Sequence, residues 1–536
     1  MNTSPKTESS AGRWAALAAA LLGWMFDGAE MGIFSLVGRP AVKDLLQTTD
    51  EGQVGLWFNV IMAAFLVGAA TGGVVFGWLG DRIGRVRAMT LSVLTYALFT
   101  GLCGCVSSAG AVGVLRFIAA LGMGGEWSLG VALVMEVWPN KSRAFMAGLI
   151  GAAANVGYVL VGFVGLGLNG ILADIHGLLI SCGLSDSSAT FFTAHSGWRV
   201  MMILGTVPAM LTFLIRIFVP ESEKWQHEQQ QGTTSAWATR DLLAVLVGLL
   251  GPTLIVYVWA WDGPTAFRNE VWVRILGTLL GLAIATVGYT FPVYQYFQRQ
   301  TSAEKAGEWR PTLARMLLAA CLSGIALIGT WGSTQQAPSW ADKLAEDHLK
   351  VEKEALLAAG KTAEAEALKK PSAKEYTLIA ISTGAVVGTL LAAFLGDLIG
   401  RRPAYFVLCL TSLLSAWMLF LGNKQYDGAM LGWAFVAGVC TASFYGWLPL
   451  YLPELFRTNV RATGQGFGFN FGRILASVGV LQVGNLLTWA NQTVELGPLT
   501  IPPGRPLACS LICLVYLVGM VLIWFAPETK GKPLPE

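Results

Sequence analysis

Five charged residues stand out because they sit inside long apolar runs. Asp27 and Glu30 fall in the first run, Arg116 and Glu126 in the fourth, and Arg473 in a late one. A charge in such surroundings is expensive and is kept for a task. The task open to a carboxyl is to take up and release a proton; the task open to an arginine is to hold an anion. Asp27 and Glu30 are three apart and share one helix face. At a rise of about 1.5 Å per residue, Asp27 lies roughly 15 Å from the far end of its run, Arg116 roughly 8 Å and Glu126 roughly 22 Å. Asp27 is therefore expected between an arginine above and an acid below. Arg473 lies roughly 16 Å from the near end of its run, close to the middle. A lone arginine there needs an anion, either a ligand carboxylate or a neighbouring acid. Asn155, Tyr158, Tyr445, Trp447, Asn470 and Gln482 are the polar and aromatic candidates for the rest of a site.

These residues need elements to hold them. Of 536 residues, 54% are hydrophobic and 13% charged, against about 25% charged in a soluble domain. Runs of about 20 apolar residues, the length that crosses a bilayer core, recur along the chain. Spans are expected near 14–37, 55–79, 88–107, 111–135, 144–172 and 198–219, and again near 311–331, 376–400, 403–422, 429–452, 462–487 and 506–526. Two more apolar runs, near 241–261 and 272–296, read as a hairpin crossing the bilayer twice. The reading is an all-α polytopic membrane protein of about 14 spans. It divides into a six-helix bundle at 1–225, a central linker with the extra hairpin at 226–305 and a second six-helix bundle at 306–536. An Ala-, Glu- and Lys-rich insertion at 338–374 reads as solvated helix or helical hairpin, with acids and bases nearly balanced.

Several elements occur twice. Residues 77–89 carry one acid, three arginines and several glycines in the form G-x-L-x-D-R-x-G-R-x-R, between two apolar runs. A degenerate copy begins at Leu395, with Asp397 and Arg401 in place of Asp81 and Arg85. Glu136 precedes Arg143 by the same interval that separates Glu454 from Arg461. Pro220-Glu221-Ser222 ends the first half and Pro527-Glu528-Thr529 ends the second. Internal repeats of this kind let transporters build a site at the midplane. The twin loops resemble the signature loop of the major facilitator superfamily, and the likeness touches both halves. Around Trp24 to Gly28 and Arg116 to Trp127 the chain resembles proton-coupled organic-acid symporters of that superfamily. The extra central pair resembles its sialic-acid transporters.

The resemblance implies two pseudo-symmetric bundles, alternating access, and proton coupling through Asp27, Glu30, Arg116 and Glu126, with Arg116 as partner of Asp27. It implies an inner gate of Asp81, Arg85, Glu136 and Arg143 in one half, with Asp397, Arg401, Glu454 and Arg461 in the other. The expected function is proton-coupled symport of a small organic acid or a sugar acid like sialic acid. A neutral sugar or an aromatic acid is the alternative, and a non-transporting receptor or channel on the same fold is a different class. Gln335 and Gln336 sit at the very end of their span, which counts against a hexose carrier.

Lysine and arginine crowd one set of loops, placing both termini in the cytoplasm of an inner-membrane protein. The small net charge of +3 implies no nucleic-acid partner. The expected partners are the substrate, protons and the lipid bilayer, and the protein is expected to act as a monomer. The eight cysteines fall mostly inside apolar runs and form no disulfide framework. Gly165, Gly167 and Gly170 match a dinucleotide fingerprint by letter only, because no strand precedes them. No ATP-binding motif, metal spacing or nucleophile elbow occurs, so neither an enzyme nor a cofactor is expected.

Overall fold

The computed structural model describes residues 10–138, 142–206, 210, 216, 219–260, 271–300, 307–489, 494–496, 499–501 and 503–535. Side chains at 10–13, 51, 169, 271 and 482–501 lie outside that description. Among the described residues, twelve stretches are helical, long and apolar enough to cross a membrane. Of the fourteen expected spans, two are not among these twelve: 462–487, which is divided between two helices, and the sixth. That one begins where the helix Asp186–Leu204 breaks at 194–197, and most of its later part lies outside the described residues.

Ends differ from expectation more than centres do. The first helix runs Ser10–Leu46 and the fifth Arg143–Ser181, each well beyond its apolar core. The late spans are segmented. Arg461–Asn470 and Gly472–Trp489 are separate helices, and Phe444–Leu455 carries two prolines, each of which removes a backbone donor. The insertion forms the helices Ala337–Ala358 and Thr362–Ala367. A small antiparallel pair, Val494–Leu496 with Leu499–Ile501, is the exception to an all-helical chain among the described residues.

The two halves meet along matching helices. Glu51–Ile83 packs on Arg461–Asn470 and Gly472–Trp489, and Arg143–Ser181 packs on Ala373–Ile399 and Phe444–Leu455. The contact is close enough to require glycine. A Cβ on Gly73 would meet the Gly466 carbonyl at 2.6 Å, and one on Gly77 would meet Ala462 O at 2.7 Å. These two glycines thus mark where one half lies on the other. Between the halves, Leu242–Ala260 and Val271–Gln298 pack on each other and reach helices of both. Tyr289 hydrogen-bonds Thr71 at 2.7 Å, and Tyr296 accepts from Asn459 at 3.0 Å.

Candidate functional site

The repeated loops fold as the same device in each half. The second helix ends at Ile83 and the third starts at Arg85, with Gly84 alone between them at φ 111°. Gly400 does the same at φ 99°. Only glycine takes such a turn readily, and a Cβ at either position would crowd the carboxylate of Glu221 or Glu528. Those two acids explain the P-E-S and P-E-T repeats. Glu221 accepts from the backbone N–H of Arg85 at 2.7 Å, and Glu528 from that of Arg401 at 3.0 Å. Each anion sits at a helix N-terminus, where unpaired N–H groups favour negative charge. The next residue reaches a second acid: Ser222 donates to Glu136 at 2.6 Å and Thr529 to Glu454 at 2.5 Å. Sequence reading saw these repeats and gave them no role.

From the first loop a buried network crosses to the other half. Arg85 contacts Asp81 at 2.6 Å and Glu136 at 3.2 Å, and donates to the Thr458 carbonyl at 2.7 Å. Glu136 also takes Arg461 at 2.8 Å. Asp81 accepts from the backbone N–H groups of Ala462 and Thr463 at 3.2 and 2.8 Å, and from the Thr463 hydroxyl at 2.6 Å. It thereby caps the helix Arg461–Asn470. The second loop is not equivalent. Arg401 is clamped by Glu454 at 2.6 and 3.0 Å, and Arg143 of the first half lies in the field of Glu454, Arg401 and Arg461. Asp397, however, is 58% exposed and, among the described residues, reaches Arg401 alone, at 3.4 Å. In this structure Asp397 faces solvent while Asp81 is sealed in.

Above this network the stacked rings of Trp127 and Phe469, 3.7 Å apart and 9° from parallel, join the two halves. A cavity lies over them. The expected coupling acid Asp27 lines it, as do four of the expected ligand residues, Asn155, Tyr158, Tyr445 and Arg473. Trp24, Trp127, Trp331 and Phe469 add aromatic walls, and Thr330, Thr334, Ser382 and Gln335 add polar ones. Gln335 reaches the cavity from the short turn Thr334–Gln336 at the end of its span. That removes the sequence argument drawn from its position. Nε and Nη1 of Arg473 are buried with no hydrogen-bond partner among the described residues.

Two expected ligands are elsewhere. Trp447 packs in the second-half core against Tyr405 and Tyr451, with rings 4.8 and 4.6 Å away. Asn470 donates to the carbonyls of Gly124 and Gly466, both at 3.1 Å, and so holds the halves together. The Gln482 side chain lies outside the described residues. The coupling residues also pair differently from expectation. Arg116 pairs with Glu30, not Asp27, and its guanidinium lies over Phe34 and Phe65 at 4.4 and 4.6 Å. Glu126 pairs with Arg216 at 2.6 Å, a buried arginine that sequence reading passed over. The charges acting on Asp27 are Glu126, Arg216 and Arg473.

Two helical halves, a cavity between them and a charged network across one end define a multi-pass membrane transporter. The chain belongs to the family described as "Sugar (and other) transporter", whose model matches residues 14–242 and 361–536. It is 26% identical to the "Probable 4-methylmuconolactone transporter" of Cupriavidus pinatubonensis, over 95% of this chain and 89% of that one. It is 22% identical to the niacin transporter NiaP of Acinetobacter baylyi, over 96% and 93%. Its fold is that of the proton:xylose symporter XylE from E. coli, a major facilitator superfamily protein, with TM-score 0.60 at 16% identity over 98% of each chain. The protein is a transporter of small molecules and not an enzyme.

Proposed function

We propose that this protein is a proton-coupled symporter of a small, flat organic acid. Arg473 carries the reading. A cation in a cavity wall, with buried nitrogens that no described residue partners, calls for a carboxylate, which a guanidinium grips in a two-pronged contact. The rings of Trp24, Trp127, Tyr158, Trp331, Tyr445 and Phe469 suit a planar, conjugated body. Relatives named for 4-methylmuconolactone and niacin transport support the same class.

Asp27 is the acid in the cavity wall. Glu30 and Glu126 are each held by an arginine, which leaves Asp27 as the proton carrier. A sugar acid such as sialic acid is the second reading, favoured by the polar arc of Thr330, Thr334, Gln335 and Ser382. The boundaries proposed for the two bundles and the central linker are those given above, and the family match skips 243–360, which contains the extra pair. The protein is placed in the inner membrane as a monomer with both termini inside. A thermal-shift screen of purified protein tests the substrate class. Stabilisation by aromatic or conjugated monocarboxylates and not by their amides supports it. Stabilisation by neutral sugars alone overturns it.

A further inference from the structure

The first helix contains Pro40, which has no N–H to offer the carbonyl of Leu36 four residues before it. A backbone carbonyl left without its helical donor needs another. Lys374 of the second half supplies one: its Nζ lies 3.5 Å from Leu36 O and 3.2 Å from Ser35 O. A lysine at the start of a membrane helix normally extends to water. This one turns across to the other half. It is the second residue of the helix Ala373–Ile399, against which the insertion helix Ala337–Ala358 packs. Just before it, Lys370 ties to Asp342 of that insertion helix at 2.9 Å. The contact lies at the end of the first helix away from the Asp81 network, because the next helix must return from there to reach Asp81.

We propose that Lys374 and the proline-freed Leu36 carbonyl form a latch that closes the cavity at the end opposite the Asp81 gate, with the insertion positioning the lysine. The latch stands independently of which substrate is carried. Opening the cavity on that side must separate Lys374 from the first helix, whereas opening the other side need not. Losing a hydrogen bond with a charged partner shifts such an equilibrium on the order of tenfold.

The test uses full-length protein in detergent, with the exposed Cys105, Cys182 and Cys321 replaced by alanine and Ser382→Cys as reporter in the cavity wall. Labelling of the same background without the reporter is subtracted. Lys374→Met is expected to raise the maleimide labelling rate on the order of tenfold, and Lys374→Arg, which still donates, to stay near the parent rate. Pro40→Ala gives Leu36 a backbone donor that competes with the lysine, and is expected to raise the rate by a smaller factor. Unchanged or slower labelling in both Lys374→Met and Pro40→Ala overturns the latch. Should Lys374→Met fail to fold, Pro40→Ala decides alone.

Discussion

Asp81 and Thr463 are 382 positions apart and share two hydrogen bonds, one from the Thr463 backbone N–H at 2.8 Å and one from its hydroxyl at 2.6 Å. An acid of the first half thus caps a helix of the second. Capping alone is worth about 1 kcal/mol. Here the capping acid also holds Arg85, whose guanidinium further reaches Glu136 and the carbonyls of Gly80 and Thr458. One carboxylate with four donors around it thus helps to join the two halves at this end.

Asp81→Asn turns one acceptor into a donor aimed at donors. Breaking a buried pair of this kind costs about 3–5 kcal/mol, and the loss falls on the state closed at this end. Uptake is expected to drop more than about tenfold while the protein still inserts into the membrane. Near-normal uptake by a well-expressed variant removes the gate role.

Asp397→Asn is expected to do little. Its carboxylate is exposed and, among the described residues, touches Arg401 alone, and surface pairs contribute about 0–1 kcal/mol. Parallel uptake curves for the two variants check the asymmetry. Equal loss from both means that Asp397 enters a buried contact in another state of the cycle.

Arg116→Gln strands Glu30 as a buried charge. The melting temperature is expected to fall, by an amount matching about 3–5 kcal/mol, and adding Glu30→Gln is expected to restore much of it. Failure of Glu30→Gln to rescue, with rescue by Asp27→Asn instead, would return Arg116 to Asp27.

The sequence made the span pattern and the twin loops legible because each is a local feature. Partner choice was not legible. Asp27 and Glu30 are three apart, and spacing puts both on Arg116's side of the helix; only the rotation of the packed helix selects Glu30. Arg216 reaches Glu126 from another span, and Glu221 reaches the Arg85 N–H across 136 positions, so no local pattern announces either. Trp447 shares its depth with Tyr445 but points to the opposite face of a proline-rich helix, into the core.

Arg473→Lys keeps the charge and loses the planar fork. The half-saturation concentration for an acidic substrate is expected to rise about tenfold or more, and Arg473→Gln is expected to lose detectable uptake. Parent-like transport by Arg473→Gln would bring neutral sugars forward.

The central claim is that substrate and proton enter together through Asp27. The direct measurement loads proteoliposomes with a pH-sensitive dye and presents an aromatic or conjugated acid under an inward proton gradient. The account predicts luminal acidification in step with concentrative uptake by the parent protein. Asp27→Asn should show neither, yet still exchange labelled for unlabelled substrate in counterflow. Concentrative uptake that survives Asp27→Asn, or parent uptake with no accompanying acidification, would contradict it.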